Sequence, residues 1–201
     1  VNPATHNNIF SYMMFSKLTI IYVSIHRINL VISKLHKIEI VIVLILYKFI
    51  NMTYSHEFFM LEALKEAKKG YFKDEVPVGS IITMGNRIIS RGHNLCETLS
   101  DPTAHAEMQV LSSACYSLKT QYLTRCTIYT TLEPCAMCAG ALFWSQINTV
   151  VFGAFDKKRG MSLIQKNILH PKTKIVSGVL NEKCSYILSD FFLKKRKLNK
   201  K

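Results

Sequence analysis

The stretch CTIYTTLEPCAMCAGALFWSQINTVVFG, residues 126–153, decides the architecture. Cys126 to Thr131 reads as a strand, about Cys135 to Trp144 as a helix, and Asn148 to Gly153 as a second strand. Working outward, a helix from about Thr103 to Leu118 precedes this unit, opened by Asp101-Pro102. Before it, Ser80 to Met84 and Arg87 to Arg91 are β-rich runs joined by Gly85-Asn86, a pair able to take positive φ in a hairpin turn. A first helix starts at Thr53 or Ser55 and runs to about Lys69, where Gly70 ends it. Phe58, Leu61, Ala63, Leu64 and Ala67 form its core-facing stripe. Beyond residue 153 come a short helix from Ser162 to Ile168, a short strand from Lys174 to Ser177, and a closing helix from Asn181 to about Lys195. Trp144 is expected to pack at the end of its helix. The alternation predicts an α/β domain with a sheet sandwiched between helices.

The 201 residues are enough for roughly one domain with a remainder. With 49% apolar and 19% charged residues the chain is too hydrophobic for wholesale disorder. Its 26 basic and 13 acidic residues leave a net charge of +13, which calls for a polyanionic partner, nucleic acid before membrane. Six cysteines are too few for a disulfide-stapled secreted fold and point to thiols or metal ligands in the cytoplasm. Residues 1–51 differ in kind: they hold no Gly, one acidic residue (Glu39) and sixteen Ile or Val. Their densest apolar run, 38–50, is interrupted by Glu39 and Lys48 and falls short of the roughly 20 residues a membrane helix needs. We read 1–51 as an atypical N-terminal extension, outside the functional protein and not translated if Met52 is the start, and 52–201 as the working domain. Without the extension's five basic and one acidic residues the net charge is 13 − 4 = +9, so the basic bias persists.

The chemistry lies in His105-Ala106-Glu107 and, 28 residues after Glu107, in Cys135-Ala136-Met137-Cys138, preceded by Glu133-Pro134. One imidazole and two thiolates are three zinc ligands, with the fourth tetrahedral position left for water. Cys135 and Cys138 stand at a helix start, where unpaired N–H groups and the positive end of the dipole favour thiolates. Glu107, two residues beyond the histidine, reaches that water without binding the metal and can shuttle protons. A redox Cys-x-x-Cys leaves His105 and Glu107 unexplained, and a structural zinc site needs a fourth protein ligand. Cys96, Cys115, Cys126 and Cys184 have no partner at ligand spacing. The paired elements form the signature of zinc-dependent nucleobase deaminases, in which hydroxide attacks the base and ammonia leaves.

Across Tyr54 to about Arg196 the chain resembles the bacterial tRNA-specific adenosine deaminases. The resemblance is carried by Ser55-His56-Glu57, Glu75-Val76-Pro77-Val78-Gly79, Asp101-Pro102-Thr103-Ala104-His105-Ala106-Glu107, Thr131-Leu132-Glu133-Pro134-Cys135, Val151-Phe152-Gly153-Ala154 and Ser189-Asp190-Phe191-Phe192. It implies a cytidine-deaminase-like, three-layer α/β/α fold with a mixed five-stranded sheet, one Zn2+ per subunit, and a homodimer. The implied reaction converts adenosine to inosine at the wobble position of a tRNA anticodon stem-loop. It further implies that Asn94 holds the base, that the Ala106 N–H helps to orient it, that Val76, Pro77 and Leu132 line the pocket, and that Asp156 accepts from a ribose 2′-OH.

The tail supports an RNA substrate. Phe191 to Lys201 carries Lys194, Lys195, Arg196, Lys197, Lys200 and Lys201 beside two aromatics, and Phe192 can stack on a splayed base. A single-stranded loop also makes it cheap to turn the target base into a pocket. Two rivals stay open: a guanine or cytidine deaminase of the same fold, because zinc chemistry does not name the base, and a non-catalytic, zinc-stabilised RNA-binding module.

Overall fold

The structure is a computed structural model that describes residues 39–43, 55–164 and 168–198. The chain divides into two units, Val1–Met52 and Thr53–Lys201. In the first, residues 39–43 are helical and exposed. The second contains α1 (His56–Phe72), β1 (Gly79–Met84), β2 (Arg87–His93), α2 (Cys96–Leu99), α3 (Ala106–Leu118), β3 (Cys126–Leu132), α4 (Ala136–Trp144), β4 (Thr149–Ala154), β5 (Lys174–Val176) and α5 (Asn181–Leu198).

Five strands form one sheet in the order β2-β1-β3-β4-β5. β1 is antiparallel to β2 and β3, whereas β3, β4 and β5 run parallel, so the sheet is mixed as expected. Successive strand side chains face opposite layers, and two cores result. Ile82, Ile128 and Val150 pack with Val110 of α3 and Leu142 of α4; their neighbours Ile81, Tyr129 and Val151 pack with Met60 and Ala63 of α1 and Cys184 of α5. Fully buried side chains of this size contribute about 1.5–3 kcal/mol each. At Gly79 a Cβ would fall 2.2 Å from both Ala63 O and Ala67 N, so only glycine lets α1 lie this close to β1.

Several boundaries move. Ser55 caps α1 by accepting from Phe58 N at 3.2 Å, while Thr53, the other candidate cap, lies outside the described residues. Gly70 does not end the helix, which continues to Phe72; the left-handed residue after it is Asp74 (φ 63). The apolar run Phe58-Phe59-Met60-Leu61 leaves the phase of the stripe ambiguous, and the structure buries Phe59 and Met60 while Leu61 is 41% exposed. Asp101-Pro102 does not open α3. Asp101 instead accepts from Thr103 N and Oγ1, closing a separate turn, and the helix starts at Ala106. α2 was not anticipated. In the expected helix 162–168 only a single 3-10 turn, Met161–Leu163, is formed, and residues 165–167 lie outside the described residues. Trp144 does not pack at its helix end but is 77% exposed.

Candidate active site

Two helices start at the same place. His105 is the N-cap residue of α3 and Cys135 that of α4, both in extended backbone, and neither side chain caps its own helix. The side chains face each other instead: His105 Nδ1 is 3.7 Å from Cys135 Sγ and 3.5 Å from Cys138 Sγ. Zinc bonds of about 2.3 Å to sulfur and 2.0–2.1 Å to nitrogen, at a tetrahedral angle, require a nitrogen–sulfur separation of about 3.5 Å. The three donors therefore fit a zinc ion without rearrangement. Among the described residues no other His, Cys, Asp or Glu joins the cluster, so nothing closes the fourth position. Cys96, Cys115, Cys126 and Cys184 are free thiols elsewhere, as expected.

The electrostatics of the cluster favour a single thiolate. Hydrogen bonds with Cys138 and then His105 hold the Cys135 thiol down to about 3. The same contact and burial push Cys138 up, and the bond to Cys135 raises His105. Thiolate character is thus concentrated on one sulfur at the amino end of α4. Glu107, second residue of α3, is 4% exposed. Burial, opposed by its own backbone N–H and His105, pushes its carboxyl up to about 7. A carboxyl poised near neutrality can both take and give a proton.

Of the other expected residues, Ala106, Asn94 and Leu132 lie next to the segments that carry the metal-ligand candidates. Ala106 is fully buried in the first turn of α3, whose N–H groups have no intrahelical acceptor. Asn94 is buried just after β2, and the Leu95 N–H beside it donates to Ala104 O at 2.9 Å, tying it to the His105 segment. Leu132 ends β3, three residues before Cys135. Pro77 is buried in the α1–β1 loop. Val76 and Phe192 line one cleft of about 570 Å³ together with Lys73, Thr98 and Lys195; none of the three metal-ligand candidates lines it. Asp156 spends one carboxylate oxygen on Lys158 N (2.9 Å) and Arg159 N (3.1 Å), so that oxygen organises its own turn.

Two carboxylates were missed. Glu75, wholly buried, accepts from Asn94, Glu97 and Thr98. Glu133, 2% exposed, accepts from Asp156 N at 3.0 Å and Ser162 N at 2.8 Å and so holds the 156–162 loop against the Cys135 segment, where Cys135 pairs with Gly160. The signal in the sequence is an acidic residue directly before a Pro-containing apolar run, which does not separate a buried anchor from a surface charge such as the neighbouring Asp74.

The tail is ordered helix as far as Leu198. Lys194 pairs with Asp190 at 3.1 Å and also contacts Tyr71 Oη, and Lys195 pairs with Asp74, so two of its cations are fastened to the carboxyl end of α1. Lys200 and Lys201 lie outside the described residues.

Comparison with known proteins agrees with this geometry. Residues 53–154 match the cytidine and deoxycytidylate deaminase zinc-binding region. A tRNA-specific adenosine deaminase of Bacillus subtilis is 48% identical over 149 residues, 72% of this chain and 92% of its own. One of Aquifex aeolicus is 46% identical over 145 residues, 70% of this chain and 95% of its own. A solved structure from a study of A-to-I editing by tRNA:A34 deaminases superimposes with a TM-score of 0.61 at 36% identity, covering 65% of this chain and 98% of that one. A partly buried His-Cys-Cys cradle, a buried carboxylate beside it and the match over most of the second unit together place the chain in the zinc-binding cytidine and deoxycytidylate deaminase family, among its tRNA-specific adenosine deaminases.

Proposed function

We propose that this chain hydrolyses adenosine to inosine at wobble position 34 of a tRNA anticodon, releasing ammonia. The observation that carries the reading is the His105–Cys135–Cys138 cradle with Glu107 buried beside it. His105 Nδ1 and the two sulfurs hold the zinc. When bound, it supplies the Lewis acidity that makes hydroxide available at neutral pH. The Glu107 carboxylate takes the proton of the attacking water and carries it to the ring nitrogen next to C6, then takes the second proton from the new C6 hydroxyl and passes it to the departing amino group. Glu107 starts and ends ionised, and water and adenosine give inosine and ammonia. Burial of Glu107 keeps competing solvent from its carboxyl and sets its pKa where both transfers are accessible.

Asn94 and the Ala106 N–H orient the base, and Val76, Pro77 and Leu132 line its pocket. Phe192 stacks on a neighbouring base at the cleft, and the remaining carboxylate oxygen of Asp156 meets a ribose 2′-OH. The basic last turn of α5 favours phosphates, and the cleft that the helix shares with Val76 supports an extended strand as substrate. Activity resides in residues 52–201, with 1–51 an extension to that domain, and the enzyme works in the cytoplasm as a homodimer. Trp144 on α4, a large apolar side chain left 77% exposed, supports a second copy at that helix. Among the described residues no helix is long and apolar enough to cross a membrane.

The test is to incubate the zinc-loaded chain with a tRNA bearing adenosine at position 34, with free guanine and with free cytidine. Inosine from the tRNA alone is the expected product. Xanthine or uridine would assign the chain to one of the free-base or nucleoside deaminases, and no product at all would leave a zinc-stabilised RNA-binding module.

A further inference from the structure

Glu75 has no exposure to solvent, yet it is a carboxylate, and it sits in the α1–β1 loop roughly twenty residues from the groups it binds. One oxygen accepts from Asn94 Nδ2 at 3.1 Å and Glu97 N at 3.2 Å; the other accepts from Thr98 N at 2.7 Å. Burial works to raise its pKa, but the Thr98 and Glu97 N–H groups and Asn94 outweigh it and hold the carboxyl below its ordinary value. An ionised carboxylate only accepts hydrogen bonds. Asn94 must therefore turn its amide nitrogen toward Glu75, and Cys96 Sγ fixes the same orientation from the other end by donating to Asn94 Oδ1 at 3.3 Å. The amide is locked at both ends, and its second N–H is the donor it can offer to a base. Glu97 and Thr98, held by the same carboxylate, line the cleft that contains Val76 and Phe192.

We propose that Glu75 is a positioning residue for the deamination: it fixes which end of the Asn94 amide faces the base and holds α2 as a wall of the cleft. The proposal rests on the reading of Asn94 as the base contact. Glu75→Gln keeps the shape but leaves one acceptor oxygen where three donors converge, so its NH2 faces either the Asn94 amide with Glu97 N or Thr98 N, and the network that locks Asn94 is broken. Tight tRNA binding is governed by phosphates elsewhere, so the effect belongs in turnover rather than in affinity.

The experiment compares the full, zinc-loaded chain with Glu75→Gln, Glu75→Asp, Asn94→Ala and the Glu75→Gln/Asn94→Ala double variant. It measures kcat and KM on a tRNA with adenosine at the wobble position, zinc per chain and far-UV circular dichroism. Glu75→Gln is expected to lower kcat about tenfold to a hundredfold with KM within about twofold, zinc and dichroism unchanged, and no further loss in the Asn94→Ala background. Glu75→Asp, which keeps an acceptor, should recover part of the kcat. If Asn94→Ala is slow and Glu75→Gln multiplies that loss, Glu75 does not act through Asn94 and the proposal falls while the base contact stands. If Asn94→Ala turns over like the parent, the base contact falls and takes the proposal with it. Loss of zinc or of the folded state in both Glu75 variants would also overturn it, because the carboxylate would then be a structural group.

Discussion

The metal cradle and the cleft under α5 lie in the same domain but are assembled differently. The cradle takes its donors from two helix starts 30 residues apart and holds the nitrogen and the sulfurs at 3.5 and 3.7 Å in a partly buried setting. The cleft draws Val76 from a loop, Thr98 from the four-residue α2, and Phe192 and Lys195 from α5, with Phe192 44% exposed. Chemistry at a metal tolerates errors of only tenths of an ångström, so few residues carry it and each is indispensable. Grip on a polyanion sums many contacts of low cost, so no one of them is. Substitutions in the two regions should therefore fail in different ways.

The largest effect is expected at the cradle. Cys138→Ala removes a buried sulfur donor, and chelation removes the metal from the parent chain; both should take inosine formation to background, with zinc measured by mass spectrometry falling in parallel. Re-addition of zinc should restore the chelated parent but not the variant. A Cys138→Ala chain that keeps stoichiometric zinc and its rate would show that the cradle has another ligand. Next comes Glu107→Gln, which keeps the volume and removes the base. A kcat loss of about 10² to 10⁴ is expected with zinc retained; loss of zinc would instead make Glu107 a ligand and erase the distinction between holding the metal and moving protons.

The cleft should respond more gently and in KM. Phe192→Ala removes one stacking surface, worth about 1–3 kcal/mol per base, so KM for the tRNA should rise roughly fivefold to a hundredfold while kcat is kept. Replacing Lys197, an exposed cation of α5, by Ala should reduce the slope of log affinity against log salt by about 0.7 if it meets one single-strand phosphate. A fall in kcat with unchanged KM for Phe192→Ala would place that ring at the chemistry rather than at the rim.

The same contrast explains what the sequence revealed. His105, Glu107, Cys135 and Cys138 were legible because the spacing of unusual residue types within short segments is itself the signal, and α4 starts at Cys135 as that spacing implied. Strands β1, β3 and β4 were legible from their apolar runs, since each is buried on both faces. Glu75 and Glu133 were not, because a buried acceptor is identified by the backbone N–H groups that the fold delivers to it, and those come from Thr98 and Ser162, far along the chain. The end of α1 and the start of α3 were misplaced for a related reason. Gly70 packs against His93, twenty-three residues away, and Asp101 spends its carboxylate on Thr103 in a turn of its own, a local alternative to the helix start that competes for the same residue.

The smallest prediction concerns His93, the last residue of β2 and the neighbour of Asn94. Its imidazole is mostly buried, with neither ring nitrogen hydrogen-bonded, and Glu66 Oε2 stands 3.9 Å from Nδ1. Burial first, then Lys73 and Lys69, depress its pKa, and Glu66 and Glu75 only partly oppose them. The folded state therefore resists a proton that the unfolded chain accepts at a pKa of about 6.5. Stability is complete above that value and declines as pH falls below it, because the unfolded state binds more protons there. His105 shifts upward and acts in the opposite sense, but it is common to both chains when parent and His93→Gln are compared. The urea midpoint of the parent should fall between pH 7.5 and 5.5 by more than that of His93→Gln. The window lies above the range in which the lowered carboxyls of Glu62 and Glu75 titrate, so they add nothing to the difference. Equal falls in the two chains would mean that folding leaves the proton affinity of the imidazole unchanged, and a smaller fall in the parent would mean that it is charged in the fold, paired with Glu66, so that the sheet edge next to Asn94 holds an ion pair instead of a neutral ring.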